Sequence, residues 1–385
     1  MKFRKLIFAN LFRKKARLVL TIGSFAVALL LFTFLAVVKS AFSRGVEIAG
    51  ADRLVVVNRV GLMVTMPISY ADKIRAIPGV KYVTHDHWFG GVYQDEKNFF
   101  PQFVIDPENH RKVYPEFQIP DDQWRNFFND QQGAIAGART AERFHWKIGD
   151  RIPIKAALWG GGSWEFNLDG IYHTENGTGD ESQFWLQWKY FDENLPETLK
   201  GIKSTAGWYI LKLDSPDDAV RVAKTIDEDF ANSSYETKTE TESAFAAGFA
   251  KQFGNIEFLI VTIGSVVFFT LLLVTGNTMA ISVRERTNEL AVLKAIGFTD
   301  RTILFLVLGE SALIALAGGL LGLLFAELLI PWFSGKLAGM LPPLLLSKML
   351  LALGLAFAVF VGLVSGLLPG LGAMRMRVVN ALRKV

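Results

Sequence analysis

Residues 258–281 read FLIVTIGSVVFFTLLLVTGNTMAI, a run without one charged side chain. A helix of roughly 18 to 20 mostly apolar residues crosses the hydrocarbon core of a bilayer, and it satisfies its own backbone hydrogen bonds there. The chain is 51% apolar, and four such runs stand out in it, expected as spans at 18–38, 255–281, 302–330 and 349–371. Residues 39–252 are polar and numerous enough to bury a core of their own. The expected fold is therefore a membrane α-helical protein of four transmembrane helices, with an α+β extracytoplasmic domain inserted between spans one and two. The first run exceeds the roughly 7 to 15 apolar residues of a secretory signal, and no A-x-A site follows AVVKSAF, so an uncleaved anchor is expected.

Basic residues near span ends set orientation. Lys2, Arg4, Lys5, Arg13, Lys14, Lys15 and Arg17 open the chain, and no acidic residue precedes Glu47. Arg284, Arg286, Lys294 and Arg301 lie between spans two and three, and Arg375, Arg377, Arg383 and Lys384 follow span four. The 331–348 connection holds only Lys336 and Lys348. Both termini and the 282–300 segment are thus expected in the cytoplasm of a bacterium, with the large domain outside its inner membrane. From Lys39 to Lys251 there are 24 Lys and Arg against 31 Asp and Glu, a net of −7 in a chain of net +4. The basic pI near 9.0 reports topology, and no nucleic-acid partner is called for. Residues 1–17 place Phe3, Ile7, Leu11 and Phe12 near helical spacing, which reads as a basic amphipathic helix at the inner membrane surface or as a disordered leader. Residues 372–385 form a basic cytoplasmic tail.

The apolar cores of spans one, two and four contain no Asp, Glu, Lys, Arg or His, while span three holds Glu310 and Glu327. Intramembrane charge marks polar-substrate routes, so a hydrophilic pore is hard to build from these helices. Small residues recur instead. Gly354, Ala358, Gly362, Gly366 and Gly370 are four apart in span four, and Gly318 and Gly322 are four apart in span three. Such rows let helix backbones approach closely, within the subunit or across a dimer.

The external domain reads as strand–helix–strand units in two lobes, with a strand at 54–57 and a helix start at Ser215-Pro216-Asp217. Its aromatic-rich middle, about 159–208, forms a core or a recognition surface. His85 and His87 in HDH lack the further ligands of a metal site, WGGGSW lacks the G-K-[ST] ending of a phosphate loop, and NGT at 176–178 matches a glycosylation acceptor. No catalytic residue, metal or cofactor is expected.

Between spans two and three, SVRERTNELAVLKAIGFTD is longer than a turn requires. Ser282 and Glu285 have capping-box spacing, unless span two continues through them, and Arg286 and Glu289 can pair three apart. Leu290, Leu293 and Gly297 share one face, and Val292, Ala295 and Ile296 another. Gly297 ends the helix, and Thr299 or Asp300 caps span three. The surface is more apolar than water warrants, as expected of a docking site for a soluble partner or of a helix resting on the membrane.

RERTNELAVLKAIGFTDRTILFLVLGESALIALAGGLLG resembles the R-T-x-E-[IL]-x-x-L-[KR]-A-x-G pattern and glycine-rich span of MacB/FtsX-type ABC transporter permeases. SGLLPGLGAMRMRVVNALR is similar to their C-terminal signature, with Val379-Asn380 where the family carries proline. AIPGVKYVT, GARTAERFHWKIGDRIPI and NLDGIYHT resemble their extracytoplasmic core domain. The resemblance implies a permease working with a separate ABC ATPase dimer that contacts Arg284, Glu285, Arg286, Glu289, Lys294 and Gly297. Glu310 matches the family's glutamate in span three. It implies a second permease copy, in a homodimer, within membrane lipids, and a periplasmic adaptor and outer-membrane partner in some systems. The cargo implied is a lipid, lipoprotein, peptide or amphiphile. The alternatives are an FtsX-like mechanical regulator of a cell-wall hydrolase and a membrane-anchored external enzyme or sensor.

Overall fold

The computed structural model describes residues 14–48, 50, 52–175, 179–252, 256–336 and 344–376. Most of the amphipathic arm, the NGT triplet and Val379-Asn380 lie outside the described residues. The chain divides into two compact units: Met1–Ser40, Asn255–Phe333 and Leu344–Val385 form one, Ala41–Gly254 and Ser334–Pro343 the other.

Among the described residues, the first unit is built on four helices long and apolar enough to cross a membrane. They run Lys15–Ile48, Ile256–Glu285, Asp300–Lys336 and Lys348–Met374. Each overruns its apolar window, because hydropathy marks where lipid can lie while backbone hydrogen bonding continues into polar flanks. Ser347 starts the fourth helix, its Oγ accepting from the Leu350 amide at 3.2 Å. The second helix packs along the fourth, and Phe25, Leu271, Ile303, Val307 and Val361 close the shared interior.

In the second unit the strands are β1 (Arg53–Asn58), β2 (Met66–Pro67), β3 (Val80–Trp88), β4 (Gln102–Ile105), β5 (Phe117–Gln118), β6 (Gly133–Gly137), β7 (Arg151–Lys155), β8 (Ser163–Thr174), β9 (Phe184–Gln187), β10 (Thr205–Ala206), β11 (Trp208–Leu213) and β12 (Thr237–Thr241). One mixed sheet runs β12-β1-β11-β3-β4-β9-β6-β8-β5, with β7 added on β8. Most pairs are antiparallel, but β4–β9 and β6–β8 are parallel. Two main apolar cores lie on it. One gathers Leu54, Ile74, Tyr209 and Ile226; the other is the aromatic cluster of Phe89, Phe100, Phe166, Phe184 and Phe191. The aromatic-rich middle is therefore largely core, with Trp185 fully buried and stacked on Tyr172 at 4.2 Å.

Local chemistry explains the turns. Ser215 Oγ accepts from the Asp217 amide at 3.3 Å, ahead of the helix Ala219–Asp229. In WGGGSW, Gly160, Gly161 and Gly162 all take positive φ, a run that side-chain-bearing residues resist.

Candidate coupling face and helix seam

Span two continues helically through Ser282, which is buried, to Glu285. Arg286 breaks the helix at φ −107°, ψ 16°, and a short helix follows over Thr287–Ala295. Its end is a Schellman motif: the Gly297 amide donates to Lys294 O at 3.1 Å, and the Phe298 amide to Leu293 O at 3.0 Å. Gly297 has φ +104°, which glycine adopts without strain. Thr299 Oγ1 then accepts from the Thr302 amide at 3.3 Å and caps span three.

The short helix buries Leu290 and Ala291. On the opposite side Val292 is 49% exposed and Ile296 68%, flanked by exposed Arg284, Asn288 and Glu289. Large apolar side chains here stand exposed beside charges.

Charged residues of the segment, Glu289 included, are also engaged inside the chain. Glu285 bridges Lys14 at 2.5 Å and Arg17 at 2.9 Å. Arg286 Nη1 bonds Glu310 Oε2 at 2.7 Å, and its Nε lies 3.4 Å from Glu289. Lys294 Nζ donates to the carbonyls of Met374 and Met376 at 2.6 and 2.9 Å and pairs with Asp300 at 2.7 Å. Only 8% of the Lys294 side chain stays exposed, so it ties the segment to the end of span four. Glu285–Lys14 and Lys294–Met374 join positions far apart in sequence, and no local spacing signals them.

The small residues form a seam between helices. A Cβ on Gly362 would sit 2.5 Å from Ala315 Cβ and 3.1 Å from Ser311 O, and one on Gly366 would sit 2.8 Å from Ser311 Cβ. Gly354 and Gly370 face Leu323 and Leu304 of span three, and Ala358 meets Gly319. Gly318 and Gly322 face span one instead, against Phe25, Ile22 and Ala26. Ser311, which sequence reading passes over, is fully buried and donates to Gly362 O at 2.5 Å. A hydroxyl hidden among apolar neighbours gives no sequence pattern.

In the second unit, Arg53 follows the first helix closely and meets Glu242, which starts the helix Glu242–Gln252. Its Nε lies 2.5 Å from Glu242 and its Nη1 2.8 Å from Glu116. Tyr114 OH donates to Glu242 at 2.9 Å, and its ring lies under the guanidinium. Burial opposes the Arg53 charge, but Glu242 and Glu116 outweigh it and hold the pKa above the ordinary value. His85 and His87 are buried against Trp188, Trp159 and Phe191, and burial lowers both pKa values.

Comparison with known proteins fits both units. The model of the MacB-like periplasmic core domain matches residues 17–229, and that of the FtsX-like permease C-terminal region matches 261–378. The uncharacterized ABC transporter permease MJ1507 of Methanocaldococcus jannaschii is 25% identical over 330 residues, 80% of this chain and 77% of that protein. The uncharacterized ABC transporter permease YknZ of Bacillus subtilis is 29% identical over 180 residues, 45% of this chain and 44% of that protein. The macrolide export ATP-binding/permease protein MacB of Bdellovibrio bacteriovorus is 36% identical over 110 residues, 28% of this chain and 16% of that protein. The crystallised extracellular domain of the YknZ transporter superposes with a TM-score of 0.35 at 10% identity, over 49% of this chain and 99% of that one. The chain is a multi-pass membrane protein and belongs to the MacB/FtsX-like family of ABC transporter permeases.

Proposed function

We propose that the chain is the permease subunit of an ABC transporter whose separate ATPase dimer docks, from the cytoplasm, on the segment 282–300. ATP hydrolysis in that partner drives movement of the external domain, which exports or extracts a lipid, lipoprotein, peptide or amphiphile. The observation that carries this reading is the exposed group of Arg284, in the last turn of span two, and Glu289, Val292 and Ile296 on the short helix after it. A helix that buries Leu290 and Ala291 on one side and leaves Val292 and Ile296 exposed on the other is suited to a groove on a soluble protein. Inward pairing of Arg286 and Lys294 supports a rigid link, since a movement imposed on the short helix would reach spans three and four through them.

A second copy, with the chain as a homodimer, is part of the same proposal. Only 11% of the apolar window of span two is buried, against 44% for span three, which leaves a broad apolar surface for a partner helix or lipid. A periplasmic adaptor and an outer-membrane channel are proposed as further partners. The amphiphile in the proposed cargo is supported by the relative named for macrolide export.

Retention of the ATPase on the solubilised chain tests the reading. Val292→Asp with Ile296→Asp, and separately Glu289→Lys, should abolish retention while each variant still folds, as its thermal unfolding transition shows. Unchanged retention in both variants contradicts it.

A further inference from the structure

The chain enters the second unit from the first helix, Lys15–Ile48, and leaves it through the helix Glu242–Gln252 toward span two. One carboxylate oxygen is bonded to both connections. Glu242 Oε2 accepts from the Gly50 amide at 3.1 Å and from Arg53 Nε at 2.5 Å, while Oε1 accepts from Tyr114 OH at 2.9 Å. Gly50 and Glu242 are 192 positions apart in sequence.

From this junction Arg53 reaches into the unit. Its Nη1 pairs with Glu116 at 2.8 Å and donates to the Val113 carbonyl at 3.5 Å. Val113 ends the short helix His110–Val113, which packs on the inner strand β3. Beside the ions, Phe245 of the exit helix packs on the apolar cluster of Val55, Val113, Trp208 and Ile210. Only 5% of the Arg53 side chain and 17% of the Glu242 side chain are exposed, so these ions cannot trade each other for water as a surface pair can. Neither connection shifts without carrying the other or stranding a buried charge. The exposed Arg59–Glu236 pair, at 3.0 Å beside the opposite end of the β1–β12 ladder, carries no such penalty.

We propose that Glu242 is a positioning residue for coupling: it locks the entry and exit connections into one body, and Arg53 passes their movement through Glu116 and Val113 to the sheet. The inference rests on the proposed function, in which helix movement driven by the ATPase reaches this unit, and it names the contact through which that movement arrives.

Single thiols in the cysteine-free chain carry a donor dye, and acceptor-labelled lipids in the nanodisc report its distance from the membrane. Val220→Cys, exposed on the helix Ala219–Asp229, follows the sheet, and Ala244→Cys, exposed on the exit helix, follows the connection. Energy transfer is read with the ATPase subunit bound, before and after trapping with ATP and vanadate. In the parent chain both sites should shift. Glu242→Gln removes the charge at constant size; it should keep ATPase retention and the Ala244 shift but lose the Val220 shift. Glu116→Gln, at the more exposed partner of Arg53, serves as a second variant that should weaken the Val220 shift, and Glu236→Gln at the surface pair should leave both shifts intact. The clamp is overturned if Val220 stays still while Ala244 shifts in the parent chain, if Val220 shifts as far in Glu242→Gln and Glu116→Gln as in the parent, or if Glu236→Gln loses the Val220 shift too; the proposed function survives the second and third of these results. No shift at either site in the parent chain contradicts the proposed function and the clamp with it.

Discussion

Arg286, at the break between span two and the short helix, donates from Nη1 to Glu310 Oε2 in span three at 2.7 Å, and the two side chains are 14% and 9% exposed. An ion pair this enclosed is weak support for net stability, yet removing one partner strands the other charge. Glu310→Ala should destabilise the solubilised chain by about 3 kcal/mol. Adding Arg286→Met should restore much of that loss. A double-mutant cycle by thermal unfolding in detergent checks it, and additive losses would mean that the two charges do not depend on each other.

The seam of small residues separates glycines that are packed from those that are not. A Cβ on Gly322 would come within 2.5 Å of the Ala26 carbonyl oxygen, whereas Gly264 of span two meets nothing within 4 Å. Gly322→Ala should lower the melting temperature as spans one and three are forced apart. Gly264→Ala should leave it unchanged or raise it, alanine being favoured over glycine in helix interiors by about 1 kcal/mol.

Asp169, on β8, gives a pH dependence. Burial raises its pKa to about 6, with the Asp130 charge adding to the shift, and its Oδ2 lacks a hydrogen-bond partner among the described residues. The folded chain thus binds a proton more tightly than the unfolded chain. The resulting stabilisation is full below pH 3.8 and is lost as pH rises through about 6. Asp169→Asn should flatten melting temperature against pH between 5 and 8 and raise it at pH 7.5. A lower melting temperature at pH 7.5 would contradict this.

Glu242 holds Arg53, whose side chain is 5% exposed. Glu242→Ala should cost about 3 kcal/mol or more by leaving that charge buried. Arg53→Lys should not substitute, since an ammonium cannot serve Glu242 and Glu116 with a planar fork. Proteolysis of the external domain across a urea series reads both effects.

The four spans were legible because lipid imposes a length and an apolarity that few soluble helices share. The Schellman end at Gly297 and the Arg286–Glu289 spacing were legible because caps and i,i+3 pairs are local. The Glu285–Lys14 and Lys294–Met374 contacts were not, since distant segments supply the partners. The parallel pairs β4–β9 and β6–β8 escaped for the same reason: alternation along a strand says which face is buried, not which strand lies beside it. In the proposed docking segment, the sequence marked Lys294 and Val292 alike, and only the fold separates the inward lysine from the exposed valine.

The chain has no cysteine, so a single introduced thiol reports its own position without background. Ile296→Cys, on the exposed face of the short helix, should cross-link to the ATPase subunit in membranes and resist a membrane-impermeant maleimide applied to intact cells. Val60→Cys, 85% exposed in the external domain, should label at once in the same cells if any outer barrier admits the reagent. Labelling of Ile296→Cys from outside, or its failure to reach the ATPase by any cross-linker of short span, would contradict the account.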